Sequence, residues 1–209
     1  GKNICSGCIH AVALMGKKKD ICPFCRSPPS NSERKMKRYK ERLDLNDGQA
    51  ICNLGAYYAE GSNGLPQNYA KAHELYHRAG ELGNADAYYN IGSACHTGDG
   101  MERDEKKVIY YWELSAMRGN VHARHNLGSI EANLGNMDRA LRHWMIAVRD
   151  GDPDALEKIK NIYMGGHATK DDYTIALRYH QAYLDEIKSD QRDEAAALND
   201  EYKYYESAV

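Results

Sequence analysis

LGAYYAEGSNGLPQNYAKAHELYHRAGELGN, residues 54–84, is followed seven residues later by IGSACHTGDGMERDEKKVIYYWELSAMRGN, residues 91–120. Laid over one another, the two strings share an apolar residue plus glycine at the start, a small or β-branched residue four before an aromatic in the middle, and Gly-Asn at the end. The first marker recurs as Leu54-Gly55, Ile91-Gly92, Leu127-Gly128 and, degenerate, Ile159-Lys160, at spacings of 37, 36 and 32. The second runs Ala72/Tyr76, Val108/Trp112, Ala140/Trp144 and, without the aromatic, Ala176/His180, at spacings of 36, 32 and 36. A period of this size is the signature of a repeat architecture, and it decides the fold before any single segment does.

Comparing the two markers shows where the repeat length varies. From the second marker to the next glycine position the interval is 20 in all three cases (72 to 92, 108 to 128, 140 to 160). From the glycine position to the second marker it is 17, 16, 12 and 16, across turn-like segments such as EGSNGLPQN, TGDGMERD and GGHATKDD. One loop per repeat absorbs the difference. Around the markers, Leu75, Ala79 and Leu82, then Ile109, Trp112 and Ala116, then Leu141, Trp144 and Ala147 or Val148 stand at helical spacing. Each repeat is therefore predicted to be a helical hairpin. Its second helix should close at Gly83-Asn84, Gly119-Asn120 and Gly151-Asp152, where glycine can take the left-handed conformation, with Pro153 suited to the first turn of the next helix. Gly55, Gly92 and Gly128 fall inside helices, where each costs about 1 kcal/mol relative to alanine. Close approach of a neighbouring helix is the expected compensation. Hairpins that cannot bury their apolar faces alone stack into a solenoid.

The fold class is thus all-α, a helical-hairpin repeat solenoid of about four repeats. The set Leu54-Gly55, Tyr58, Gly61, Ala72, Tyr76, Ala79 and Gly83-Asn84, echoed by Ile91-Gly92, Gly98, Gly100, Trp112, Ala116 and Gly119-Asn120 and by Leu127-Gly128, Ala140, Trp144, Ala147 and Gly151, resembles the pattern of Sel1-like repeats, relatives of tetratricopeptide repeats. The fourth copy departs from it at Lys160, His180 and Ile187. The resemblance implies a scaffold that binds a protein partner on its repeat surface. The expected organisation is a zinc-finger unit at 1–30, a basic linker or helix at 31–46, repeats at 47–187 and a capping helix within 188–209, carried by the stretch Asp193 to Tyr205.

Charge divides the 209-residue chain in the same place. Residues 1–43 carry 11 Lys/Arg and 3 Asp/Glu (+8), leaving 17 and 27 (−10) for 44–209, which returns the net charge of −2. Sixteen tyrosines against one phenylalanine and two tryptophans point to many half-buried amphipathic positions. No apolar run approaches the roughly 20 residues of a membrane span, and the N-terminus lacks a signal-peptide layout. The basic stretch Arg34–Lys40 has only Tyr39 as a stacking residue among its charges, so it reads as a solvated helix rather than a nucleic-acid surface.

Four of the six cysteines form two CxxC pairs, Cys5/Cys8 and Cys22/Cys25. Paired CxxC without a secretion signal points to zinc rather than disulfides, since each turn supplies two thiolates toward a tetrahedral site. It also points to a reducing intracellular, cytoplasmic location. A segment with so little apolar mass should order only with metal. ICSGC followed by ICPFCR resembles the C-terminal half of a RING finger, in which eight ligands hold two zinc ions. That resemblance implies recruitment of a ubiquitin-conjugating enzyme, with Pro23 as a contact residue and Arg26 at the position of a cation bridging that enzyme and ubiquitin. The missing ligands would lie upstream of Gly1, so the chain is expected to be a fragment and, alone, not an active ligase. A pure adaptor with a structural zinc module is the alternative. His10 and the pair His122/His125 are weaker ligand candidates, and Cys52 and Cys95 read as small core residues.

Overall fold

The computed structural model describes residues 41–188; the predicted zinc-finger unit, residues 31–40 of the linker and residues 189–209 of the capping segment lie outside the described residues, and within the linker 41–44 are helical. After the helical residues 41–44, eight helices run in order among the described residues: α1 Gly48–Glu60, α2 Tyr69–Glu81, α3 Ala85–Thr97, α4 Glu105–Met117, α5 Val121–Asn133, α6 Met137–Arg149, α7 Pro153–Met164 and α8 Lys170–Ile187. They pair as four hairpins, α1 with α2, α3 with α4, α5 with α6 and α7 with α8. The hairpins stack in chain order, α2 on α3, α4 on α5 and α6 on α7. The variable loop is the one inside each hairpin, at 61–68, 98–104, 134–136 and 165–169, and its short form at 134–136 accounts for the interval of 12.

The helical glycines and the aromatic markers are two halves of one device. A methyl group built on Gly55 would lie 2.8 Å from the Tyr76 ring, one on Gly92 2.5 Å from Trp112 Cδ1, and one on Gly128 2.5 Å from Trp144 Nε1. In each hairpin the ring of the second helix thus lies over the backbone of the first. Tyr76, Trp112 and Trp144 are 5%, 5% and 2% exposed, and form the centre of the core with Ile51, Ile91, Leu127, Val148 and Ile159. The indole nitrogens of Trp112 and Trp144 donate to the carbonyls of Tyr89 (3.3 Å) and His125 (3.2 Å), so the buried rings leave no orphan donor. In the fourth hairpin both halves change together. Lys160 replaces the glycine and His180 the aromatic, and His180 is buried with no hydrogen-bond partner on either ring nitrogen among the described residues.

The turns between hairpins close one helix and open the next within three residues. Gly83, Gly119 and Gly151 take φ of +88°, +88° and +95°. The following N–H returns to a carbonyl five residues back, Asn84 to Ala79, Asn120 to Ser115 and Asp152 to Ala147. The same Asn or Asp then caps the next helix, Asn84 accepting from Ala87 N–H, Asn120 from Ala123 N–H and Asp152 from the Asp154 and Ala155 N–H groups. Pro153 occupies the start of α7 as its fixed φ allows. Where Ile187 stands in place of the closing glycine, α8 runs 18 residues against 13 for α2, α4 and α6. Leu82, at helical spacing from Leu75 and Ala79, lies beyond the last turn of α2, at its C-cap, and is 47% exposed.

Candidate binding face

The first helices α1, α3, α5 and α7 contact one another through polar side chains. Asn84 Nδ2 donates to Gln49 Oε1 (3.0 Å), Asn90 Nδ2 to Cys52 Sγ (3.7 Å), and Asn120 Nδ2 to Asp86 Oδ1 (2.8 Å). The rings of Tyr89 and His122 lie 5.9 Å apart, and His125 Nδ1 donates to Asp152 Oδ2 at 2.9 Å. These helices form one face of the solenoid.

That face carries an asparagine row. Asn53, Asn90 and Asn126 each stand one residue before the buried Leu54, Ile91 and Leu127, and each is half-buried. Three residues further on, at the next turn of the same helix face, are Ala56, Ser93 and Ser129, also half-buried and too small to cover the amides. A carboxamide both donates and accepts, matching the N–H and C=O of a peptide backbone. The row runs across α1, α3 and α5, so an extended peptide lying along it would pass from one carboxamide to the next. At the fourth hairpin the position is Lys158, and the row ends.

None of the predicted metal or conjugating-enzyme residues, Cys5, Cys8, Cys22, Cys25, Pro23 and Arg26, lies among the described residues, nor do His10 and Arg34–Lys40. The His122/His125 pair is divided by its partners, His122 lying against Tyr89 and His125 bonded to Asp152. Among the described residues no group of three or more His, Cys, Asp or Glu could hold a metal ion. Cys52 and Cys95 are 2% and 1% exposed; burial pushes the Cys52 thiol up to about 12 and raises that of Cys95, leaving both as core side chains rather than nucleophiles. The asparagine row was missed in the sequence, although its signal was there: all three clear copies read Asn immediately before the apolar-Gly marker.

The edge of this face is pH-sensitive through Asp152. Burial alone would raise its carboxyl, but hydrogen bonds from His125 and from the Ala155 and Asp154 N–H groups, with the charge of His125, outweigh burial and hold it below the usual carboxylate range. A carboxyl depressed in the folded state contributes stability that is full above its unfolded value, near 3.8, and is lost as pH falls through the lower folded value. Asp152→Asn, which keeps a capping oxygen but no charge, is therefore expected to destabilise the chain by about 1 kcal/mol at pH 7. The gap should narrow below pH ~4. Urea titrations of both proteins at a series of pH values check this; a pH-independent gap contradicts it.

Fold and face together define a helical-repeat solenoid with an amide-lined face. The Sel1 repeat family model matches residues 48–84 and 85–120, the first two hairpins. The Sel1 repeat protein from Oxalobacter formigenes has a similar crystal structure (26% identity, TM-score 0.62), covering 92% of this chain and 71% of that one. The protective antigen c5321 of uropathogenic Escherichia coli shares the fold (20% identity, TM-score 0.61), covering 93% of this chain and 41% of that one. The uncharacterized protein NMB1327 of Neisseria meningitidis serogroup B is 24% identical over 119 residues, 57% of this chain, and the chain spans a quarter of that relative's length (25%). Among the described residues no helix is long and apolar enough to cross a membrane.

Proposed function

We propose that the chain is a protein-interaction scaffold whose first-helix face holds an extended peptide segment of a partner. The observation that carries this reading is the row Asn53, Asn90 and Asn126, three carboxamides in register on adjacent helices with small residues beside them. A random 12-residue peptide library panned on the purified chain supplies the probe. The triple variant Asn53→Ala/Asn90→Ala/Asn126→Ala is expected to bind the selected peptides at least tenfold more weakly while keeping the helix content of the wild type in far-UV circular dichroism, since each net hydrogen bond contributes about 1 kcal/mol. Equal affinity for both proteins would refute the reading.

The paired cysteines support a second element, a zinc module formed by Cys5, Cys8, Cys22 and Cys25 that brings a ubiquitin-conjugating enzyme to the captured partner through Pro23 and Arg26. It rests on the CxxC spacing and the RING-like string, and on a reducing cytoplasmic setting. Zinc content per chain should fall by half or more in Cys22→Ser, because a tetrahedral site missing one thiolate loses much of its affinity. Ubiquitin discharge from a loaded conjugating enzyme, measured on a protein with the upstream zinc ligands restored, with and without Arg26→Ala, separates the two forms of the proposal. Acceleration that depends on Arg26 supports ligase-type recruitment; none leaves a pure adaptor.

A further inference from the structure

In the first hairpin the residue four after the apolar marker, Tyr58, meets the residue one before the small marker, Lys71, whose Nζ lies 5.1 Å from the centre of the Tyr58 ring. In the third hairpin the same two positions hold Glu131 and Arg139. They form an ion pair of 2.9 Å, and Asn136 Nδ2 donates to the same carboxylate at 2.8 Å. In the fourth, Tyr163 takes the first position and is covered by the Tyr173 ring, stacked on it at 5.3 Å. The second hairpin is the exception. It keeps the cation, Lys107, but its first-helix residue is the short side chain of Cys95.

Where the longer side chain is missing, a cavity of about 400 Å³ opens, a size at which small molecules are bound. Ile91, Cys95 and Met101 give it an apolar wall, with the Cys95 thiol donating to Met101 Sδ at 3.1 Å, and Lys107, Tyr111 and His77 line the rest. This shell corresponds by register to the one around Glu131. Lys107 stands where Arg139 does, Tyr111 where His143 does and His77 where Glu113 does, and the charges of Glu131, Arg139 and Glu113 all act on His143 there. Lys107 and Arg139 are equally open, at 64% and 62%, but the ion-pair contact of Lys107 is a long one, 3.7 Å to Asp104. We propose that the cavity binds a small organic monocarboxylate, its carboxylate seated on Lys107 as Glu131 is on Arg139 and its apolar body laid along Ile91, Met101 and the Tyr111 ring. Around the cavity Arg103 and Lys107 are balanced by Glu102 and Asp104, which leaves no net positive charge to hold a dianion such as phosphate. No residue of the asparagine row lines the cavity, so this site stands apart from the peptide-binding reading.

The probe is hydrocinnamate, which carries a carboxylate on a two-carbon arm, as Glu131 does, and a ring, as Tyr58 does; hydrocinnamamide is its neutral counterpart. Titrated into the full chain and followed by NMR, the acid is expected to shift the Met101 methyl signal. The amide should bind about fivefold or more weakly, the scale of one charge-assisted hydrogen bond. Lys107→Met, which keeps the stem without the charge, should weaken the acid by the same factor and leave the amide unchanged. Cys95→Glu rebuilds the pair of the third hairpin inside the second and should abolish the Met101 shift; Lys107→Met decides the matter if that variant does not fold. No Met101 shift with the acid up to about 20 mM, within reach of a fragment-sized ligand, would overturn the proposal. So would equal affinity for acid and amide, acid binding unchanged in Lys107→Met, or a shift retained in a folded Cys95→Glu variant.

Discussion

Trp112→Ala should lower the unfolding free energy by about 3–5 kcal/mol, the range for removing a large buried aromatic. The side chain is 5% exposed, its ring lies 6.2 Å from that of Tyr89 at 18°, and His96 closes the other side at 5.8 Å. Truncation opens a cavity at the junction of α3 and α4 and takes the indole donor from the Tyr89 carbonyl. Because the surrounding helices are tied to neighbouring hairpins, the gap can collapse only in part. The chain has two tryptophans, so Trp144 remains as a fluorescence reporter of the third hairpin while far-UV circular dichroism follows the whole. Loss should begin in the second hairpin and spread by nearest-neighbour contacts. A loss below about 1 kcal/mol, the scale of a surface substitution, would mean that the ring does not organise the hairpin.

Gly92→Ala is the complementary experiment, and its sign is informative. In an ordinary helix interior the change stabilises by about 1 kcal/mol. Here the new methyl would lie 2.5 Å from Trp112 Cδ1 and 2.7 Å from Nε1, closer than packed atoms come, and the ring is held by α3 behind it. The expected net result is a destabilisation of about 1–3 kcal/mol, the cost of overpacking a filled core. Combined with Trp112→Ala, the same substitution should become neutral or stabilising, because the obstructing ring is gone and the helix preference for alanine remains. The coupling in this double-mutant cycle is then about 2 kcal/mol or more. Simple additivity would show that the glycine and the ring act independently.

The hairpins, their closing turns and the loop that absorbs length differences were legible in the sequence because each depends on residues close along the chain. Glycine and tryptophan were also visible, but as separate markers. That the ring filling the space over Gly92 belongs to the same hairpin follows only once α4 lies across α3, although the joint change to Lys160 and His180 in the fourth copy carried a hint of it. Leu82 keeps the helical spacing of Leu75 and Ala79 yet stands exposed at the C-cap, because the helix closes at Gly83 before another turn can bury it. The bond between His125 and Asp152 joins residues of different hairpins, 27 positions apart, and depends on the stacking angle, which no local pattern encodes. The asparagine row was overlooked for a different reason. Periodicity searches weight apolar positions, and a binding face is made from the polar positions beside them.

The measurement that most directly tests the proposed binding face is a titration of the isotope-labelled chain with a panned peptide, followed through the side-chain amide resonances. The account predicts that the carboxamide signals of Asn53, Asn90 and Asn126 shift together with the backbone amides of Ser93 and Ser129, while the exposed second-helix residues Glu74 and Glu113 stay in place. Shifts confined to the second helices, around the exposed Tyr110 and Met117, with the three carboxamides unmoved, would contradict it.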